Sequence, residues 1–303
     1  MFFDLHSDIL YDIVKKSLDD KTNIIKDYHL KQYHEGEIIG GIWTYYTNIN
    51  NPLCDFNQAL DYILEELEEA NDVIKVIKCR NDFDFNKINV ILGLESLQPV
   101  KDVEHLSNLY NLGFRHAMLT WNEANQYGTG VNGDASCGLT DEGIAIIEFM
   151  NEANMIIDIS HANTKTTEDI LNITAKPIIA SHSNIYELCP NKRNLTIQQI
   201  DKIVQNKGII GITAVKNMVN PQNPCAKEMV KHIEFLRQRN YINHIALGFD
   251  FMDYMNESNL DDLKCASDTA ILLKEFDDLL YSEIEIDQIC FLNALALINN
   301  LLE

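Results

Sequence analysis

Histidines and carboxylates follow several short apolar runs of the 303-residue sequence, at the point where each run ends. The first such run, FFDLHSD, ends with His6 and Asp8, which are two residues apart and therefore project to the same face of a strand. Later runs end with the same two residue types: Glu95, Asp158, His161, His182 and Asp250. Imidazole and carboxylate groups without a thiolate suit Zn²⁺ and tolerate Mn²⁺ or Co²⁺. The pattern therefore indicates metal-dependent chemistry.

Each of these residues alone has a simpler explanation. A histidine at a strand end is more often a hydrogen-bonded structural residue than a metal ligand, and an acidic residue there often caps the next helix. Several carboxylates at one site would repel one another, however, and a divalent cation removes that cost. Two ions could share the site if Glu95 bridged them. The remaining ligands would then form two pairs, His6 with Asp8 and His161 with His182.

The elements that must position these residues alternate along the chain. Eight short runs, apolar on both faces, predict the strands of a buried parallel sheet. These runs lie at 2–8, 37–46, 89–96, 116–121, 156–161, 177–182, 208–215 and 244–251. Helical spacing and capping residues predict helices at 56–77, 141–154, 196 to about 206, about 225–239 and after 260.

This alternation predicts a TIM-type (β/α)₈ barrel, in a single domain that spans residues 1–303 and has C-terminal helices from about 260. A doubly wound open sheet is the alternative, but no Gly-rich fingerprint follows the first predicted strand. In a barrel the carboxyl ends of all strands open on one face. The barrel therefore predicts that three histidines and three carboxylates meet at one mouth: His6, His161, His182, Asp8, Glu95 and Asp250.

The overall charge and the cysteines limit the classes of partner and compartment. A formal net charge of −22 argues against nucleic acids and anionic membranes, which are themselves polyanions. No apolar run reaches the length of about 20 residues that spans a bilayer, and no signal peptide precedes the first strand. The seven cysteines are odd in number and include no C-x-x-C pair, a pattern typical of reduced thiols. We therefore expect a cytoplasmic protein with no nucleic-acid or membrane partner.

Short motifs occur in a fixed order between residues 2 and about 251: His6-x-Asp8, Glu95, Asp158-x-Ser160-His161, His182-Ser183-Asn184, Arg193-Asn194 and Asp250. Two further segments lie among them, Leu119-Thr120-Trp121-Asn122 and Gly138-Leu139-Thr140-x-x-Gly143. Together these motifs resemble the membrane (renal) dipeptidase family, peptidase family M19. The resemblance implies an amidohydrolase-like (β/α)₈ enzyme that binds two Zn²⁺ ions and hydrolyses dipeptides.

The resemblance also implies roles for the matching residues. It assigns the two ligand pairs given above to the two zinc ions and makes Glu95 their shared ligand. Arg193 would bind the C-terminal carboxylate of the substrate through its planar guanidinium. The ions would lower the pKa of a bridging water, which would attack the peptide carbonyl as hydroxide. Asp250 would take the proton of that water and pass it to the leaving amine, so Glu95 and Asp250 are the residues expected to take part in catalysis.

Two positions depart from the family pattern: Trp121, and Ile197, which stands where an acidic residue usually follows Arg-Asn. The best-known members have a histidine near the scissile carbonyl, and this sequence has Trp121 there. An indole has a single N–H donor and cannot become a cation, so polarisation of the carbonyl would depend more on the metal. We expect Trp121 and Asn122 to line the substrate site together with Arg193.

Two other classes of function stay open at this point. A barrel metallohydrolase that acts on another amide, such as an N-acyl amino acid, a cyclic amide or a lactam, would use similar ligands. Those relatives often begin with His-x-His and use a carboxylated lysine, whereas this sequence begins with His6-x-Asp8. A non-catalytic binding protein on the same barrel would need no metal.

A homodimer is suggested by family habit alone.

Overall fold

The computed structural model describes residues 1–47, 51–255 and 259–302. The strands in these ranges, all paired in parallel, are β1 (Phe2–Ser7), β2 (Ile38–Tyr45), β3 (Ile74–Val76), β4 (Ile88–Glu95), β5 (Phe114–Met118), β6 (Ile156–Asp158), β7 (Ile179–Ala180), β8 (Ile209–Ile212) and β9 (Ile245–Leu247). Eight of them close a barrel, because β2 pairs with β1 and β4, and β9 pairs with β8 and β1. The predicted (β/α)₈ barrel is confirmed.

The predicted helix at 56–77 is wrong for its last part, which contains the third strand. The helix α3 (Phe56–Glu69) ends eight residues early, and the chain turns back at Ala70, whose carbonyl accepts the backbone N–H of Ile74 at 3.0 Å. Ile74, Lys75 and Val76 then form β3, which pairs with the first three residues of β4. Val73, Ile74 and Ile77 fit helical spacing, but β-branched side chains pack better on a sheet.

The other helices surround the barrel and follow the predicted alternation. They are α1 (Ile9–Ser17), α2 (Leu30–Glu35), α4 (Val103–Leu112), α5 (Asp141–Glu152), α6 (Thr164–Ile173), α7 (Ile197–Gln205), α8 (Lys216–Val219), α9 (Ala226–Arg237), α10 (Ala270–Asp278), α11 (Glu283–Asp287) and α12 (Asn293–Leu301). Thr140 caps α5 by accepting the backbone N–H of Gly143 at 3.0 Å. Thr196 and Gln199 form the predicted capping box of α7.

The last helix closes one end of the barrel. Inward-facing side chains of the strands form a separate apolar cluster, and Leu295, Ile298 and Leu301 of α12 belong to it. Asn293, at the start of α12, donates to the carbonyl oxygens of Ile242 and Ile245 at 2.8 Å each, next to the amino end of β9. The amino-terminal end of the barrel is therefore filled with apolar side chains, and polar side chains occupy the opposite end.

Within the described ranges, no helix combines the length and the apolar character needed to cross a bilayer. The interpretation of residues 1–303 as a single domain stays a prediction.

Candidate metal centre

The six polar residues predicted to converge lie together at the carboxyl end of the barrel, and all six are buried. One group surrounds His6, whose side chain points from the end of β1. Its Nε2 lies 3.8 Å from Asp8 Oδ1, 3.7 Å from Glu95 Oε1 and 3.8 Å from Asp250 Oδ1. Three acidic oxygens from three different strand ends thus face one imidazole nitrogen.

A second group surrounds His161 and His182, which follow β6 and β7. Glu95 Oε1 lies 2.7 Å from His161 Nε2 and 3.6 Å from His182 Nε2. The two Nε2 atoms are 2.9 Å apart. Glu95 therefore reaches both groups with the same oxygen, which is the position that the sequence predicts for a shared ligand.

The donor set fits divalent cations. Both ring nitrogens of His6 are buried and have no hydrogen-bond partner among the residues that the structure describes. Atoms that bind one ion at about 2.1 Å each lie roughly 3–4 Å apart, too far for a hydrogen bond but close to the distances around His6. A buried polar atom without a partner is costly, and a cation in this position would satisfy it.

Neighbouring polar groups orient two of the candidate ligands. Asn122 Oδ1 lies 2.9 Å from Nδ1 of His161 and accepts its proton, so the Nε2 lone pair of His161 faces Glu95. Thr44 donates to Asp8 Oδ1 at 2.9 Å, and the backbone N–H of Asp8 donates to the Tyr254 hydroxyl at 3.0 Å. Such partners fix the direction in which a metal ligand presents its lone pair.

The sequence did not point to Thr44 or Tyr254. Thr44 lies within β2, 36 residues from Asp8, and Tyr254 lies in the segment after β9, 246 residues away. Neither residue belongs to a recognisable motif, so no signal in the sequence would have found them.

Burial and the repulsion between like charges shift the pKa values of the histidines and of Glu95 in this site. Burial lowers the pKa of His6 to about 3 and holds the pKa values of His161 and His182 well below their usual range. Burial also raises the pKa of Glu95 well above its usual range, and the neighbouring carboxylates of Asp8 and Asp250 raise it further. The imidazoles are therefore neutral, the form that binds metal, and the crowded carboxylates would be stabilised by positive charge.

Two of the candidate residues have unusual backbone conformations. His161 has φ of 72° and Asp250 has φ of 56°. These values lie in the left-handed region, which costs energy for a residue other than glycine and recurs at functional sites. The sequence predicted both residues within strands, at 156–161 and 244–251, but β6 ends at Asp158 and β9 ends at Leu247. Both side chains therefore project from turns beyond the strands.

The residues expected to line a substrate site lie beside these groups. Arg193 Nη2 is 2.9 Å from His182 Nε2, and burial lowers the pKa of Arg193 to about 10. Trp121, three residues after β5, stacks on the ring of His161 with centroids 5.6 Å apart. The centroid of the Tyr46 ring lies 4.9 Å from that of Trp121. An arginine and an aromatic wall thus flank the cluster of histidines and carboxylates.

Comparison with known proteins identifies the family. Residues 1–301 match the family model described as membrane dipeptidase (Peptidase family M19). The chain belongs to this family. The resemblance read from the sequence is confirmed, and so is the expectation of a hydrolase of the metallo-dipeptidase type.

Two relatives illustrate the similarity of this chain to known proteins. Dipeptidase verJ of Clonostachys rogersoniana is 26% identical over 269 residues, which cover 82% of this chain and 69% of that relative. An uncharacterised protein in the pqqA 5′ region of Klebsiella pneumoniae is 31% identical over 259 residues, which cover 82% of this chain and 94% of that relative.

The solved structures support the fold. A metallopeptidase from Rhodobacter sphaeroides, crystallised with a phosphinate mimic of the dipeptide L-Ala-D-Ala, superposes with a TM-score of 0.86. The match covers 99% of each chain at 20% sequence identity. At that identity the likeness shows a shared barrel.

Proposed function

We propose that this chain is a dipeptidase that binds two divalent cations, Zn²⁺ first among them, with Mn²⁺ or Co²⁺ as substitutes. The observation that supports this most strongly is the position of Glu95. A single oxygen of this carboxylate lies within 3.7 Å of the Nε2 atoms of His6, His161 and His182. One buried acid in reach of three neutral imidazoles fits a pair of cations that share a ligand.

In this proposal His6 and Asp8 would hold one ion, His161 and His182 would hold the other, and Glu95 would be a ligand of both. The ions would supply Lewis acidity, which acidifies water and polarises the peptide carbonyl. Thr44 and Asn122 keep Asp8 and His161 in the orientation that this requires, through the hydrogen bonds described above.

Asp250 moves the proton. Its Oδ1 lies 3.8 Å from His6 Nε2, so one of its carboxylate oxygens is next to the proposed ion site. It accepts a proton from the attacking water and returns it to the leaving amine.

Arg193 binds the C-terminal carboxylate of the dipeptide. Its pKa of about 10 keeps the guanidinium charged at neutral pH, although burial lowers that pKa. The guanidinium lies 2.9 Å from His182 Nε2, so a carboxylate bound to it is held next to the ion site. This distance limits the substrate to a short molecule, because only a few bonds can separate the carboxylate from the bond that is cleaved.

Trp121 forms one wall of the substrate site. It cannot supply the charge that a histidine would bring to the carbonyl, so polarisation of the substrate depends on the ions. Its stacking on His161 instead presents an indole face to a substrate side chain.

Hydrolysis of a substrate panel tests this function. The purified protein, incubated with Zn²⁺, Mn²⁺ or Co²⁺, is assayed with L-Ala-L-Ala, L-Ala-D-Ala, N-acetyl-L-alanine, a cyclic dipeptide and a β-lactam. The D-residue is included because a structural relative was crystallised with a mimic of L-Ala-D-Ala. We expect metal-dependent cleavage of free dipeptides. Cleavage of the acylated or cyclic amides alone would favour the alternative of a metallohydrolase for other amides.

We propose that the enzyme works in the cytoplasm. All seven cysteines lie in the described ranges as free thiols, a pattern typical of proteins in a reducing compartment. The absence of nucleic-acid and membrane partners and the formation of a homodimer stay predictions.

A further inference from the structure

Two buried carboxylates below the candidate metal ligands join neighbouring strands through their backbones. Asp4 Oδ1 accepts the backbone N–H of His6 at 3.2 Å and that of Phe249 at 2.8 Å. Asp158 Oδ1 accepts the backbone N–H of Ser160 at 2.8 Å and that of Ser181 at 3.1 Å. We call Asp4 and Asp158 the strand-linking carboxylates.

Each strand-linking carboxylate serves one of the two groups in the candidate metal centre. The donors that Asp4 binds are His6 itself and Phe249, which precedes Asp250. The donors that Asp158 binds precede His161 and His182. Four of the six candidate residues therefore lie at, or immediately after, a backbone group that one of these two acids holds.

The backbone pairing between β6 and β7, and that between β1 and β9, is short. The pairing of β6 with β7 is limited to Asp158 opposite Ile179, and that of β1 with β9 to Asp4 opposite Leu247. β1 continues beside β2 as far as Ser7, whereas the chain enters turns after β6 and after β9. In those turns His161 and Asp250 have positive φ. One further backbone hydrogen bond joins the two chain segments near the ends of β1 and β9: the N–H of Asp250 donates to the carbonyl oxygen of His6 at 3.2 Å.

His116 fixes one of the two acids. From β5, its Nε2 lies 2.9 Å from Asp158 Oδ2, and both side chains are buried. Through this contact β5 is also linked to the strand pair β6 and β7. Because Oδ2 is bound to His116, the other oxygen of Asp158 is directed at the two backbone donors.

We propose that Asp4 and Asp158 are positioning residues that set the distance between the candidate metal ligands on adjacent strands, and that His116 holds Asp158 for this task. The inference rests on the proposed metal site. It differs from a purely structural role because the loss of either acid should change how the site binds metal by more than it changes the stability of the barrel.

The test compares three variants with wild type. Asp4→Ala and Asp158→Ala each remove an acceptor of two backbone bonds, while Asp158→Asn keeps an oxygen that can accept both. The matched control is Asn89→Ala. Asn89 is equally buried and its amide donates to the carbonyl oxygens of Ile39, Asp84 and Lys87, but it lies at the opposite end of the barrel.

Three quantities are measured for each protein: the dissociation constants of Zn²⁺ and Co²⁺ by chelator competition, the visible absorption spectrum of the Co²⁺-loaded protein, and the melting temperature. We expect Asp4→Ala and Asp158→Ala to weaken metal binding about 10- to 100-fold, the range found when groups behind metal ligands are lost, and to shift the Co²⁺ spectrum. Asp158→Asn should restore most of the affinity. Asn89→Ala should lower the melting temperature and leave the affinity and spectrum unchanged.

The outcomes separate this inference from the proposed function. Wild-type protein that binds neither metal would overturn the proposed function. Wild-type protein that binds metal, together with an alanine variant of equal affinity and unchanged spectrum, would overturn the positioning role alone. If Asp158→Ala does not fold, Asp158→Glu, which moves the carboxylate by one methylene, is measured against the same two criteria. An affinity loss in Asn89→Ala equal to that in Asp158→Ala would also contradict the inference.

Discussion

The substitution Asp250→Asn should abolish turnover while leaving the metal site intact. Asparagine has nearly the shape of aspartate and tolerates the left-handed conformation with φ of 56° that this position adopts. The backbone carbonyl of Asp250 accepts a bond from Asn259 Nδ2 at 2.8 Å, which does not depend on the side chain. The five proposed metal ligands, which do not include Asp250, are unchanged. The variant should therefore fold and bind metal as wild type does.

The magnitude of the effect follows from the role assigned to Asp250. General acid–base catalysis contributes about 10²- to 10⁴-fold to the rate, which corresponds to roughly 2.7–5.4 kcal/mol of activation free energy. An amide cannot accept the proton, so kcat should fall by that factor. The KM should change little, because Arg193, the proposed partner of the substrate carboxylate, is unchanged.

Steady-state kinetics with a dipeptide and metal analysis of the same preparation measure both effects. Asp253→Asn is the matched control, since Asp253 lies three residues further along the same segment and is bound by Gln32 Nε2 at 3.0 Å. This control should keep both kcat and metal content. If Asp250→Asn retains kcat within about threefold of wild type, or loses metal in proportion to activity, the assigned role is wrong.

Three further substitutions test other parts of the structure. Arg193→Lys loses the paired donors that fit a carboxylate, so KM for a dipeptide should rise about tenfold with a smaller change in kcat; an unchanged KM would exclude the role of Arg193 in binding. The carboxylate of Asp12 is paired with His29 at 2.8 Å and with Lys16 at 2.5 Å. Removal of its charge in Asp12→Asn should lower the free energy of unfolding, measured with denaturant at pH 7, by roughly 3 kcal/mol. Although burial raises the pKa of Asp12, those bonds hold it below its ordinary value, so this difference should shrink as the pH falls below about 3.9; a constant difference would contradict the pairing. Ile298→Ala should lower the free energy of unfolding by about 2–5 kcal/mol with activity per folded molecule unchanged, and a loss below 1 kcal/mol would mean that α12 does not fill the barrel end.

The barrel could be predicted from the sequence because its signals are local. Strands that are apolar on both faces and helices capped by Thr140 or Thr196 are visible in short windows of sequence. The helix predicted at 56–77 shows the limit of such signals. Its last apolar residues fit two periodicities, and only the pairing of Ile74–Val76 with β4 decides in favour of a strand.

The convergence of the candidate ligands could be predicted because it is a consequence of topology. Once the strands are parallel and closed, the residues at their carboxyl ends must meet, however far apart they are in sequence. The contacts behind those ligands could not be predicted in this way. Thr44 with Asp8 and His116 with Asp158 join residues 36 and 42 positions apart, and each contact depends on side-chain directions that only the packed barrel sets.

Metal content is the most direct test of the central claim, that histidines and carboxylates from separate strand ends share two ions through Glu95. Wild-type protein and Glu95→Ala are loaded with Zn²⁺, freed of excess metal, and analysed by mass spectrometry for zinc per chain. We expect about two ions in wild type and fewer than one in the variant, because removal of the shared ligand weakens both positions. Two tightly bound ions in Glu95→Ala, or none in wild type, would contradict the account.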